Sequence, residues 1–265
     1  MSLSSFFLLT TFVASTNENK MKSALVTGAN KGIGLEVARI LAQKGFFVYL
    51  GSRTLENGLS AVEKLRAAGI NNIAAIQLDV TSQASVDAAR KEIGEKTDVL
   101  DVLVNNAGIA GGFEQSALTS AADQYQAVYD TNLFGVVRTT QAFIDLLKKS
   151  PEPRIVNVST AMASLSMAAD IHNSNYPKRY VIYQSSKAAL NMYTVQLAYE
   201  LRDTAFKVNA VCPGWTKTDF TMQQGTSTPE EAGARIAKYA LIGADGPTAK
   251  YISEEYFPEP ANCPW

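Results

Sequence analysis

The chain has 265 residues, with 24 basic side chains against 25 acidic ones and a formal net charge of −1. That length builds one substantial core, and interspersed charges without a basic stripe or charged tail argue against a nucleic-acid partner. One histidine, His172, and two cysteines without C-x-x-C or metal-ligand spacing exclude H-E-x-x-H zinc chemistry and make a Ser-His-Asp hydrolase a poor fit. No metal is expected, and a small, roughly neutral substrate suits the charge balance.

Residues 1–20 stand apart. Phe6 to Val13 is a short apolar run with no basic residues before it, unlike a secretory signal, and it is too short to span a bilayer. These residues are expected to lie outside the fold, with residues 21–265 forming one cytoplasmic domain. From there short apolar runs alternate with amphipathic stretches. Ser23–Thr27 is predicted as a strand, Ile33–Lys44 as a helix ended by Gly45, and Phe46–Leu50 as the second strand. Leu55–Ala68 is predicted helical, Ile73–Leu78 a strand, Ala84–Lys96 a helix and Val99–Val104 a strand. A long helical region over Ala122–Lys149 precedes a strand at Arg154–Val158. Tyr183–Arg202 is predicted helical, Val208–Val211 a strand, Glu230–Tyr239 a helix and Tyr251–Ile252 a last short strand. Repeated β-α-β units imply an α/β fold of Rossmann type, a doubly wound parallel sheet in a single domain with its ligand at the carboxyl ends of the central strands.

The first strand runs into Thr27-Gly28-Ala29-Asn30-Lys31-Gly32-Ile33-Gly34. Three glycines between strand and helix let backbone approach a pyrophosphate, and the helix N-terminus beyond favours an anion. A P-loop is excluded, because no Gly-Lys-[Ser/Thr] follows at the required offset. At the end of the second strand an acidic residue would indicate NAD; Gly51-Ser52-Arg53 stands there instead. Arg53, with Lys31 in the glycine turn, suits the additional phosphate of NADPH.

Tyr183-Gln184-Ser185-Ser186-Lys187 places a phenol and an ammonium four residues apart, on one helical face. No other tyrosine in the chain has a lysine at this spacing. A phenol with a reference pKa of about 10 needs a neighbouring cation to move a proton near neutrality; a shift of ~3 units corresponds to roughly 4 kcal/mol. Asn157-Val158-Ser159 matches a glycosylation acceptor, but its strand setting argues against one. His172 reads as a solvated loop residue, and Cys212 and Cys263 as a buried and a free surface thiol.

With T-G-A-N-K-G-I-G at 27–34, Asp79-Val80, Asn105-Asn106-Ala107-Gly108, Asn132, Tyr183-x-x-x-Lys187 and Pro213-Gly214-Trp215-Thr216-Lys217-Thr218, residues 22–265 resemble a short-chain dehydrogenase/reductase. The resemblance implies that Tyr183 donates a proton, that Lys187 binds ribose hydroxyls and biases the phenol, and that Asn132 joins a water-linked relay. It further implies that Gly28, Asn30, Lys31, Gly32, Ile33, Gly34, Arg53, Asp79, Val80, Asn106, Ala107, Gly108, Pro213, Gly214, Thr216 and Thr218 line the cofactor. Where the family carries a catalytic serine in V-N-V-S-S, this chain has Thr160; it takes the carbonyl-orienting role, with Ser159 in reserve. The segment between Thr160 and Tyr183 is longer than in many relatives. That segment, Asn30-Lys31, Trp215 and the stretch Gly246-Pro247-Thr248 through Pro264-Trp265 resemble the carbonyl-reductase-like branch, implying a monomer, with a dimer as the other state.

Phe113, Met162, Trp215, Phe220 and Met222 are expected to border an apolar substrate pocket. The expected activity is NADPH-dependent reduction of a ketone, aldehyde or quinone. Two other readings stand beside it: an NADP-dependent alcohol dehydrogenase running in the oxidative direction, and a binding protein that senses NADPH without turnover.

Overall fold

A computed structural model describes residues 21–172 and 180–265. Its strands are β1 (Ser23–Val26), β2 (Phe47–Ser52), β3 (Ile73–Gln77), β4 (Val102–Asn105), β5 (Arg154–Val158), β6 (Lys207–Val211) and β7 (Tyr251–Ile252). The helices are α1 (Gly32–Gln43), α2 (Leu55–Ala67), α3 (Gln83–Lys96), α4 (Ala122–Tyr129), α5 (Gly135–Leu147), α6 (Leu165–Ala168), α7 (Val181–Glu200) and α8 (Pro229–Ala240). All paired strands run parallel, in the order β3-β2-β1-β4-β5-β6-β7. The chain builds outward from β1 to β3 and then returns to β4 on the other side of β1. A topological switch therefore lies between β1 and β4, where a doubly wound sheet opens a crevice at its carboxyl edge.

Strand alternation divides the core into two layers. Ala24, Val26, Val102, Val104 and Val156 point to one face and pack with Val37 and Leu41 of α1, Val62 of α2 and Ile236 of α8. Leu25, Leu103 and Ile155 point to the other, against Ile93 of α3, Phe143 and Leu147 of α5 and Ala198 of α7. Helices thus cover both faces, as the strand–helix alternation predicts.

The helical region predicted over Ala122–Lys149 runs unbroken from Ala122 to Leu147, with a π-helical turn over Asp130–Phe134 between α4 and α5. One expectation changes: Cys263 is not a surface thiol, and both cysteines are free and buried, Cys263 at 5 % exposure beside Tyr251 and Cys212. Asn157 is fully buried and donates to Thr194 Oγ1 (2.9 Å), so it presents no amide for glycosylation. Among the described residues no helix is long and apolar enough to cross a membrane.

Candidate active site

The glycine turn is built against the loop that leaves β4. Gly28 adopts φ +62°, and a Cβ there would come within 2.9 Å of Ala107 Cα. A Cβ on Gly34 would meet Asn106 Nδ2 at 2.4 Å and Gly28 O at 2.7 Å. Both approaches are too close for any side chain. Asn106 secures the junction, donating from Nδ2 to Thr27 O (2.9 Å) and Gly28 O (3.1 Å), while the Thr27 hydroxyl accepts from the Asn106 and Ala107 N–H groups (3.0 Å each).

Beyond the turn, α1 begins at Gly32 with Lys31 as its extended N-cap, and the Lys31 side chain makes no capping bond to the first N–H groups. A helix start left open in this way offers donors and a favourable field to an anion. Thr218 closes the opposite side, its Cγ2 3.5 Å from where a Cβ on Gly32 would stand. Arg53 is exposed and forms no ion pair among the described residues. Lys31 does not stand free beside it: its ammonium pairs with Asp219 at 2.7 Å, both side chains about two-thirds exposed. Asp79 accepts from the Thr81 N–H (3.0 Å) and hydroxyl (2.7 Å) through Oδ1, and Val80 packs beneath Gly135.

On the β5 side, Tyr183 occupies the third position of α7, which starts two residues earlier than the sequence pattern indicates. Burial raises its phenol above the ordinary tyrosine range, the adjacent Cys212 adds to the effect, and a hydrogen bond with Thr160 opposes it. Thr160 lies just past β5, where its Oγ1 also accepts from Met162 N at 3.4 Å. Ser159 turns the other way, donating to Asn191 Oδ1 at 2.7 Å in the interior. Of the two hydroxyls, only that of Thr160 meets the phenol.

Lys187 is 4 % exposed and donates to Val158 O at 2.8 Å. Burial lowers its pKa to about 8. Asn132 sits within the π-helical turn, a distortion that frequently marks functional positions. Its side chain leaves its own helix: Oδ1 accepts from Ile109 N (2.9 Å), and Nδ2 donates to Ile109 O (2.9 Å) and Ser186 Oγ (3.0 Å). Gly108 lies between these groups, its missing Cβ 3.3 Å from Asn132 Oδ1 and 3.5 Å from Lys187 Nζ.

The Pro213–Thr218 segment is held from outside. Arg235 donates to Pro213 O (2.8 Å), the Thr216 hydroxyl donates to Gly214 O (3.2 Å), and Trp215 N donates to Glu255 Oε2 (2.6 Å). Among the apolar border residues, Phe220 stacks tilted on Tyr183 with ring centroids 5.5 Å apart, and Phe113 meets Tyr180 edge-on at 6.2 Å. Trp215 and Met222 are exposed and Met162 is half-buried. His172 is exposed; Tyr176 and Pro177 of the segment before Tyr183 lie outside the described residues. Sequence reasoning missed Gln115, Ser186, Asn191 and Glu255. Each is a polar residue whose partner lies far along the chain, so no local pattern marks it.

A family model described as short chain dehydrogenase matches residues 22–229. The chain belongs to the short-chain dehydrogenase family. (−)-Isopiperitenone reductase of Mentha piperita is 33 % identical, covering 88 % of this chain and 96 % of the relative. That alignment runs over 303 positions, more than the length of this chain, so the relative has segments without a counterpart here. The solved salutaridine reductase of Papaver somniferum superposes with a TM-score of 0.76 at 30 % identity, covering 87 % of this chain and 99 % of that one. NADPH-bound carbonyl reductase from chicken fatty liver gives 0.78 at 28 % identity, with 92 % and 99 % covered. The chain falls in the carbonyl-reductase-like branch of the short-chain dehydrogenases, oxidoreductases that bind a nicotinamide cofactor.

Proposed function

We propose that this short-chain dehydrogenase reduces the carbonyl of an apolar ketone, aldehyde or quinone with NADPH, Tyr183 being the proton donor. The observation that carries the reading is a half-buried tyrosine at the carboxyl edge of the sheet, its phenol hydrogen-bonded to Thr160. Burial raises that phenol and so favours its protonated form, the one that donates in reduction, while substrate energetics and the cofactor ratio set the direction of turnover.

The open N-terminus of α1 and the Gly28–Gly34 turn would take the cofactor's pyrophosphate. Asp79 and Val80 would face the adenine, Asn106-Ala107-Gly108 the ribose, and Pro213, Gly214, Thr216 and Thr218 the nicotinamide end. Arg53 would hold the additional phosphate of NADPH, joined by Lys31 once it exchanges Asp219, since an exposed ion pair is worth little. When bound, the cofactor supplies the hydride. Thr160 orients the carbonyl oxygen and Tyr183 delivers its proton. Lys187 biases the phenol, and Asn132 lies on the path by which that proton is replaced. Phe113, Met162, Trp215, Phe220 and Met222 shape an apolar mouth, which suits relatives named for isopiperitenone and salutaridine.

NADPH oxidation followed against a panel of ketones, aldehydes and quinones tests the reading. Binding without consumption across the panel would leave an NADPH sensor. In the same assay Arg53→Glu is expected to weaken NADPH by about 2 kcal/mol, roughly 30-fold, while NADH changes little. Equal losses for both cofactors would remove Arg53 from phosphate binding.

A further inference from the structure

At the start of helix α7 the side chain of the N-cap residue Tyr180 makes no capping bond; Gln184 Oε1 accepts from the Tyr180 N–H (2.8 Å), and Tyr183 stands only three positions in. The open N–H groups of that first turn are met from a distant loop. Gln115 Oε1 accepts from Ile182 N (2.8 Å) and Tyr183 N (3.1 Å), while its Nε2 donates to Ala110 O and Gly112 O (2.7 Å each). A side-chain amide has two acceptor sites and two donors, and here all four are engaged. The reversed amide would set donors against donors and oxygen against two carbonyls, so the pattern also fixes its orientation.

Residues 110–112 continue directly from Asn106-Ala107-Gly108, and Ile109 between them is held by Asn132. Asn132 also reaches Ser186, in the next turn of α7. The loop leaving β4 is therefore stitched to α7 at two successive levels, by Asn132 at Ser186 and by Gln115 at Ile182 and Tyr183. We infer that Gln115 is a positioning residue, fixing the first turn of α7, and with it the Tyr183 phenol, to the loop on the nicotinamide side of the crevice. This rests on the reading of Tyr183 as proton donor. Gln115 touches no reacting atom; it acts by keeping the phenol in register with Thr160 while the β4 loop holds its own place. Displacement of a reacting group by 1 Å costs roughly 10²-fold in rate, so loosening one turn has a large effect on turnover and a small one on cofactor affinity.

Two variants separate the halves of the amide. Gln115→Leu removes all four bonds; Gln115→Glu keeps the oxygen that caps Ile182 and Tyr183 but turns the donor end into an oxygen facing Ala110 O and Gly112 O. For Gln115→Leu, kcat is expected to fall roughly 10- to 100-fold with the NADPH dissociation constant unchanged. Hydrogen exchange at the Ile182 and Tyr183 amides should accelerate. For Gln115→Glu those two amides stay protected, kcat is low at neutral pH, and it recovers toward wild type as acid protonates the new carboxylate and restores one donor. A residue that merely stabilised the fold would give neither the acid-side recovery nor the split between kcat and NADPH affinity. Wild-type kcat in both folded variants, or unchanged exchange at both amides in Gln115→Leu, overturns the inference. A wild-type protein that consumes no NADPH would sink the proposed reduction instead, and the exchange measurement would still decide whether Gln115 fixes the turn.

Discussion

Replacing Tyr183 by Phe is expected to lower turnover roughly 10²- to 10⁴-fold, the range of positioned general acids, while NADPH still binds. The substitution removes one oxygen and keeps the ring, so packing against Phe220 at 5.5 Å persists. Thr160 loses a partner but keeps its contact with Met162 N, and stability should change by no more than about 1 kcal/mol. Fluorescence titration with NADPH and its consumption at saturating carbonyl separate the two effects. Turnover at the wild-type rate would take the phenol out of the chemistry.

Lys187→Met is expected to abolish turnover and, without cofactor, to raise the melting temperature. Burial holds the ammonium's pKa at about 8 against an ordinary 10.5. A folded-state pKa below the unfolded one means that the unfolded chain binds this proton more tightly. The charge therefore opposes folding fully below pH 8, and that opposition fades as pH rises from 8 toward 10.5. The shift corresponds to a cost on the order of 3 kcal/mol, partly offset in the variant by loss of the bond to Val158 O. A methionine fills the space of the lysine stem, leaving a net gain of about 2 kcal/mol, or roughly 4–8 °C for a domain of this size. Thermal melts across this pH window should show wild-type stability climbing relative to Lys187→Met. If the protonated ammonium is what biases Tyr183, kcat/KM for the wild type falls as pH passes about 8. A destabilised variant, or parallel pH curves, would show that the lysine is buried at no cost.

Much of this was legible because two periodicities carry the fold. Short apolar runs and amphipathic stretches located every strand, including Tyr251–Ile252, and the glycine turn fell where β1 meets α1. What escaped depends on partners far along the chain or on geometry that spacing does not encode. A π-helical turn at Asp130–Phe134 adds one residue to a turn, which an apolar pattern with ordinary scatter does not reveal, yet it sits where Asn132 leaves its helix for Ile109. Lys31 reads from sequence as half of a phosphate site, but its exposed ion pair with Asp219 at 2.7 Å is invisible in the local pattern. Ser159 and Thr160 are adjacent hydroxyls in sequence, and only strand alternation sends one to Asn191 and the other to the phenol. Gln115 is one glutamine in a loop, and nothing local indicates that it caps a helix 67 positions away.

The most direct test of the central claim is a crystal structure with NADP⁺ and an unreactive carbonyl analogue bound together. The account predicts the nicotinamide in the crevice between the carboxyl ends of β1 and β4, with the analogue's oxygen accepting hydrogen bonds from Tyr183 and Thr160. A ring bound elsewhere, or a phenol turned away from the analogue, would contradict it.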